Sequence, residues 1–433
     1  MMRLRIVLAL ALGLAAAAPR AACAETLVDA WRLALAHDNT LAAAQADVEG
    51  AQARERAARG ARWPAVDAVA GYTRLSASPE LDVSTPEGAF RSGPLFRNDQ
   101  LITGSVGVKL PLYAGGAISA GMRAAHQALA AAKDNAQVTR ADLKLEVAQV
   151  YVSVLRARRA LETSNSSVAS LTAHVNDVAS MVSRELVSRS DLLAAQVALA
   201  NAQEERLRSS NAVSLAFAAY NRLLGEPLDR TVDLDDHLPT DAALSGRPLP
   251  ALAHEALEGR NELKGLAAQA DALAAQSRAE EGRRLPQLAL TGTYTHFDNQ
   301  ILDRENLASI GVGITWRLFD GGQARQDAAA LSSDSRAARH RLEELRSQIE
   351  LQVRQAWLDG QAAQARLSAS RAAVAQADEN LRTARELYEA GMGTNTQVLD
   401  AVALRVTAAN NRDDSRLDLE LAGLELAHAV GEL

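Results

Sequence analysis

Apolar positions in this chain keep two rhythms, and the chain passes from one to the other twice. Between 287 and 295, Leu288, Leu290, Gly292 and Tyr294 alternate with Gln287, Ala289, Thr291, Thr293 and Thr295. Between 309 and 318, Ile310, Val312, Ile314, Trp316 and Leu318 alternate with Ser309, Gly311, Gly313, Thr315 and Arg317. An earlier pair of segments carries Val66, Ala68, Ala70 and Tyr72, then Ile102, Val106, Val108, Leu110 and Leu112, on the apolar side. A period of two predicts strands with one apolar and one small or polar face. From Leu143 the period changes. Val147, Val150, Val154, Ala157, Leu161, Ser164, Val168, Leu171, Val175, Val178 and Val182 step by four and three, a heptad seam. Ile349, Val353, Ala356, Gly360, Ala363, Leu367, Ser370, Val374, Ala377, Leu381, Ala384 and Tyr388 repeat it with smaller residues, which predicts a closer helix approach.

The joints between the rhythms are also duplicated. Residues 106–116 read VGVKLPLYAGG and 312–322 read VGITWRLFDGG, a spacing of 206. Each alternating run ends in an aromatic (Tyr113, Phe319) and a glycine pair, Gly115-Gly116 and Gly321-Gly322, which supplies the unrestricted backbone a strand-to-helix hinge needs. The same register pairs Glu185 with Gly391 and Gly225-Glu226 with Gly431-Glu432. Upstream of the hinges the offset is 222, pairing Pro64 with Pro286 and Tyr72 with Tyr294, so repeat one carries 16 extra residues between its strands. These lie in 74–100, a polar loop with three prolines; 296–307 is its short counterpart. Each half therefore reads as an opening helix (26–60, 251–282), two strands, a long helix and a returning helix. Thr26 with Asp29, Ser188 with Asp191 and Thr394 with Gln397 have capping-box spacing at helix starts. A helix from about 118 to 182 reaches on the order of 100 Å, more than a compact core needs. Residues 226–250, with four prolines, read as a linker or small surface element.

Composition narrows the picture. Arg3 and Arg5 precede an apolar run, and Ala22-Cys23-Ala24 makes a cleavage site, so 1–24 reads as a secretory signal peptide. The domains expected are then 25–225, a linker 226–250, and 251–433. The mature chain has no cysteine, and 43 basic against 53 acidic residues give −10, which argues against a nucleic-acid partner. Past residue 24 no uncharged run approaches the ~18 apolar residues of a membrane helix, so any contact with a membrane must be made by strands. Strands of about ten residues with one apolar face fit an outer-membrane barrel, and a soluble two-layer sheet alternates identically. The eight histidines are scattered without metal-ligand spacing, and no nucleophile elbow occurs. No enzyme, metal or cofactor is expected.

Signal peptide, twin halves, element order, the LPLYAGG and RLFDGG hinges and the turn motifs together resemble the TolC-type outer-membrane efflux proteins, over the whole mature chain. The resemblance implies an α+β membrane protein, a homotrimer with two structural repeats per chain. Each protomer gives four strands to one shared 12-stranded β-barrel, and its long helices extend that barrel as an α-helical coiled-coil barrel through the periplasm. It further implies a periplasmic adaptor protein and an inner-membrane transporter as partners, and export of drugs, metals, other toxic compounds or secreted proteins. Four strands cannot close a barrel alone, so the edges must be paired by other subunits. The family's periplasmic entrance has Tyr-x-x-Gly, an Arg two residues on, and Asp six and nine residues after the Gly. Tyr388, Gly391 and Asp400 match; Gly393 stands in place of the Arg and Gln397 in place of the first Asp. Asp191 matches the Asp of the first-repeat turn.

The competing expectation is a soluble periplasmic coiled-coil scaffold or adaptor with a small sheet; a stand-alone porin would not need such helices. Tyr72, Tyr294 and Trp316, near the ends of apolar strand faces, fit an aromatic girdle against outer-membrane lipid and separate the readings.

Overall fold

A computed structural model describes residues 24–86, 88–94, 96, 99–239, 246–298 and 304–433 of the chain. The expected signal peptide thus lies, but for Ala24, outside the described residues. In order the elements are α1 (Leu27–His37), α2 (Asn39–Gly60), β1 (Ala65–Arg74), β2 (Glu80–Thr85), β3 (Gly88–Pro94), β4 (Gln100–Ala114), α3 (Ala117–Ser183) and α4 (Arg189–Leu224). After them come α5 (Leu249–Gly259), α6 (Asn261–Gly282), β5 (Gln287–Phe297), β6 (Asn306–Thr315), α7 (Gln323–Glu389) and α8 (Asn395–Val430). The two halves share one plan, and both long helices run 67 residues and both returning helices 36. The chain divides into two compact units. One holds the chain up to Ala43, Gln137–Arg260 and Ser347–Leu433; the other holds Ala44–Ala136 and Asn261–Arg346.

In the second unit β1, β4, β5 and β6 form an antiparallel sheet in the order β1-β4-β5-β6, while β2 and β3 pair as a separate hairpin inside the stretch expected to be loop. The two halves meet where β4 pairs β5. Register stacks Val66, Val108, Gly292 and Ile310 across all four strands, and beside them Ala68, Val106, Tyr294 and Ala308. The period-two pattern thus becomes one continuous apolar face. Pro111, with no N–H to donate, lies beyond the last β1 partner of β4 and beside the register shift between Pro111 and Tyr113, where a missing ladder bond costs least. No layer among the described residues covers the apolar face: Val66 is 64% exposed, Val312 62%, Ile314 72% and Ile310 81%. A two-layer soluble sheet would bury those side chains, and this one does not. No helix among the described residues is long and apolar enough to cross a membrane.

Small residues set helix spacing in this unit. Ser277 Oγ donates to Ala328 O (2.8 Å), Ser335 Oγ donates to Ala270 O (2.9 Å), and Ala268, Ala270, Ala272 and Ala275 are buried. All four hinge glycines take positive φ: Gly115 61°, Gly116 82°, Gly321 69° and Gly322 87°. Gly115 is doubly constrained, because a Cβ there would run into Gly282 O and lie 2.7 Å from Leu285 Cβ.

The first unit is a helical core around Tyr151 and Tyr220, whose rings meet edge to face at 6.0 Å. Tyr151 Oη donates to Glu25 O and Asp235 O, each at 2.8 Å, and Tyr220 Oη donates to Glu25 Oε1 at 2.8 Å. Arg230 closes the cluster on the Glu25 carboxylate. Val232, Leu234 and Leu238 are buried in the same core and anchor residues 226–239, most of which stay exposed or half-buried; 240–245 lie outside the described residues.

Two expected helices are each broken once. Asp38 (ψ 125°) ends α1 by donating its N–H to Ala34 O and begins α2 by accepting from Leu41 N through Oδ1 (2.7 Å). Its short carboxylate caps the new helix, an alternative to helical continuation that apolar periodicity does not register. Arg260 (ψ 126°) breaks the partner helix, its buried guanidinium donating to Gln352 Oε1 and Ala429 O.

Candidate functional site

The heptad seams carry the long helices to two turns, and the turns of both halves pack together within the first unit. Every seam position of α7 from Ile349 to Tyr388 is buried or half-buried, as the pattern predicts. On α3 the seam positions from Leu143 to Val182 are likewise buried or half-buried, and His174, one position off the seam beside the half-buried Val175, is buried as well, at 4% exposure. Leu171, Val178, Leu381, Tyr388, Val398, Ala401 and Val402 form the apolar centre of this tip.

All three expected capping boxes form. Ser188 Oγ accepts from Asp191 N (3.1 Å), and Asp191 Oδ2 accepts from Ser188 N (3.2 Å). Thr394 and Gln397 make the same exchange in the second half. Asp191, matched to the Asp of the first-repeat turn, and Gln397, which stands in place of the entrance motif's first Asp, therefore cap the starts of the returning helices. Gly391 takes φ 73° and ends α7. Gly393 is more than a missing arginine: a Cβ there would stand 3.0 Å from Tyr388 N and 3.2 Å from the Leu387 carbonyl carbon, tighter than an ordinary Cβ contact, so a side chain requires this turn to give slightly.

A polar cluster joins the two hairpins inside the tip. Asn395 Nδ2 donates to Asp191 O (3.0 Å), and its Oδ1 lies 2.7 Å from His174 Nε2. With Oδ1 as acceptor, Nε2 carries the imidazole proton. The His174 ring lies 5.6 Å from the Tyr388 ring. Tyr388 is 6% exposed, and its hydroxyl has no hydrogen-bond partner among the described residues. Burial, and then the Asp191 carboxylate, raise its pKa above the ordinary phenol value. Further straps are Arg385 to Ser170 Oγ, and Arg405, which pairs with Asp378 (2.7 Å) and reaches Ser166 Oγ (3.2 Å).

Tyr388, Asp191, Gly391 and Gln397 are thus gathered at the tip, each in a structural role. Asp400 is different. It follows the buried Val398 and precedes the buried Ala401 and Val402, yet is itself exposed on the opposite side of α8, as are Gln397 and Leu404. His174 and Asn395 escaped the sequence reading. Their only signals were a histidine one position off the seam and an asparagine after a capping threonine, neither distinguishable from surface residues without the fold.

The residues expected to meet lipid lie on the apolar face of the sheet or its continuation. Tyr72 pairs with Ile102 and Tyr294 with Val106, both toward the end away from the hinges, whereas Trp316 follows β6 at the hinge end. They are 60%, 50% and 56% exposed. Trp316 Nε1 donates to Arg284 O (3.0 Å), fixing one edge of the indole.

The sequence pattern of outer membrane efflux proteins matches residues 30–226 and 252–432. The chain is similar to the outer membrane efflux protein BepC of Brucella suis, 22% identical over 341 residues, 77% of this chain and 74% of BepC. It is similar also to the alkaline protease secretion protein AprF of Pseudomonas aeruginosa, 23% identical over 423 residues, 94% of this chain and 84% of AprF. In fold it resembles the solved outer membrane protein VceC of Vibrio cholerae, with a TM-score of 0.80 over 94% of this chain and 96% of VceC at 20% identity.

Proposed function

The chain belongs to the outer membrane efflux protein family, and from that premise we propose that three copies build a continuous duct that passively carries substrates from an inner-membrane transporter and a periplasmic adaptor to the cell exterior. The family is one of transport proteins, located in the outer membrane with the helical part in the periplasm. One observation carries the trimer. The sheet has four strands, an uncovered apolar face, and edges at β1 and β6 with no partner among the described residues. In lipid an open edge leaves backbone groups unsatisfied, so other copies must supply the missing strands. Twelve strands leave an open lumen, whereas eight would be filled by side chains. The aromatic positions Tyr72, Tyr294 and Trp316 then serve as anchors at the two membrane surfaces.

The transport partners are supported by the relatives, one called an efflux protein and the other a secretion protein. That pair also leaves the cargo open between small molecules and polypeptides. Exposed apolar residues at the tip, Leu186, Leu193, Val197, Met392 and Leu404, give an adaptor or a neighbouring protomer a surface to cover.

The tip is the gate in this reading, and Asp400 its main fixed charge, because Asp191 is engaged in a cap and Gln397 is neutral. Three carboxylates around one axis attract cations strongly. The mass of the protein in detergent should be that of a trimer, and a monomer or dimer mass would sink the proposal. Release of the mature protein from the periplasm without detergent would favour the soluble scaffold instead. Asp400→Asn should weaken cation selectivity, read as reversal potential in a planar bilayer under a salt gradient, with trimer mass unchanged. Intact selectivity would make Asp400 an ordinary surface residue.

A further inference from the structure

The second unit contains one feature that conduction does not use. At the hinge end of β6 an open cleft of about 760 Å³ lies between the end of α6 and the start of α7. Four arginines line it, Arg278, Arg284, Arg317 and Arg325, against two carboxylates, Glu281 and Asp320, leaving an excess of two positive charges. Asp320 is already engaged, since its oxygens accept from Gly322 N (2.9 Å) and Ala324 N (3.1 Å) at the start of α7. None of the four arginines has a carboxylate partner within ion-pair distance among the described residues, whereas nearby Arg283 pairs with Glu280. The sequence pattern put Arg317 on the polar strand face and Trp316 on the apolar one. The strand ends at Thr315, however, and both residues line the same cleft.

The other wall is apolar and, within a single protomer, uncovered by the described residues: Trp316, Leu318 and Phe319 are 56%, 78% and 87% exposed. Trp316 also ties the positive wall to the apolar one through its bond to Arg284 O. A cleft for a soluble anion has no use for three exposed apolar side chains beside its guanidinium groups. A phospholipid matches both halves, its phosphate taking the planar donor forks of arginine and its acyl chains lying on the Trp-Leu-Phe wall. The position along the strand selects the leaflet. The cleft is at the hinge end, where the strands give way to the periplasmic helices, and so faces the phospholipid leaflet of the outer membrane. We propose that this cleft is a binding site for an anionic phospholipid of the periplasmic leaflet, with Arg278 and Arg284 as principal headgroup contacts. Two uncompensated positive charges favour a headgroup of net negative charge over a zwitterionic one. The proposal rests on the membrane placement of the sheet and not on the identity of the transported cargo.

Native mass spectrometry of the assembled protein in detergent tests it, because one spectrum reads both oligomer mass and lipid adducts. With added phosphatidylglycerol the protein should carry adducts at least tenfold tighter than with phosphatidylethanolamine. Arg278→Gln with Arg284→Gln should weaken phosphatidylglycerol at least tenfold and leave phosphatidylethanolamine unchanged, while Arg278→Lys with Arg284→Lys retains most of the binding. Millimolar inorganic phosphate should not displace the lipid. Equal binding of the two lipids, unchanged binding in the Gln variant, or displacement by phosphate would each overturn the site. So would a complete absence of adducts, the result expected if a neighbouring protomer fills the cleft. A wrong oligomer mass with normal adducts would count against the trimer and leave this site standing.

Discussion

Asn395→Ala should loosen the tip without disturbing the core around Tyr151. Asn395 is 4% exposed and serves two partners, donating to Asp191 O and accepting from His174 Nε2, itself on a residue 4% exposed. Truncation removes both bonds and strands the imidazole N–H away from water. A net hydrogen bond contributes about 1 kcal/mol, and an orphaned buried donor costs about 1–3 kcal/mol, so the local loss should be about 2–4 kcal/mol. At 1.4 kcal/mol per decade this is about a 30- to 700-fold rise in the local opening constant. Hydrogen exchange of amides in the first two turns of α4 and α8 reads that constant directly, and amides flanking Tyr151 serve as the internal reference. Replacing both partners, His174→Leu with Asn395→Leu, should cost less than the single truncation, because no polar group is then left alone. A change of less than threefold at the tip would refute the role of this cluster. Parallel acceleration of the reference amides would refute it equally, since the cluster would then not act locally.

Tyr388→Phe should leave tip protection equal to or above the native level, because the hydroxyl it removes is buried and unpartnered. The same phenol sets an alkaline limit. Its folded pKa is raised above the unfolded value, so its contribution is complete below pH ~10 and is lost as pH climbs through the folded value. A spin label at residue 186 should gain mobility above that pH in the native protein and not in Tyr388→Phe. Glu185 holds φ 61° where the second repeat uses Gly391, so Glu185→Gly should stabilise the end of α3 by about 0.5–1 kcal/mol, seen as slower exchange there; faster exchange would contradict it. Gly115→Ala and Gly116→Ala should differ sharply, for both have positive φ but only Gly115 has backbone where a Cβ would go. Gly116→Ala should cost about 1–2 kcal/mol and still assemble in the outer membrane, while Gly115→Ala should fail to assemble; equal yields would refute the distinction.

Periodicity alone determined most of the element list and the doubling of the plan, because burial of one strand face or one helix stripe must recur with the geometry of the element. The α7 seam from Ile349 to Tyr388, the four strands, the hinge glycines and the three capping boxes are all local in this sense: each depends on residues within a few positions of one another. What periodicity could not weigh was competition between a local pattern and a distant partner. Arg260 breaks a helix because Gln352 and Ala429 O offer its guanidinium better contacts than continuation would. His174 is buried beside the half-buried seam residue Val175 because Asn395, 221 residues away, gives its imidazole an acceptor. Residues 226–239 read as a linker or small surface element by composition, and the fold adds that Val232, Leu234 and Leu238 reach the core, beside which Tyr151, Tyr220 and Arg230 converge on Glu25. Whether the apolar side of the sheet is covered was undecidable for a related reason. Alternation states that one face is apolar, and only the fold shows that no layer among the described residues covers it.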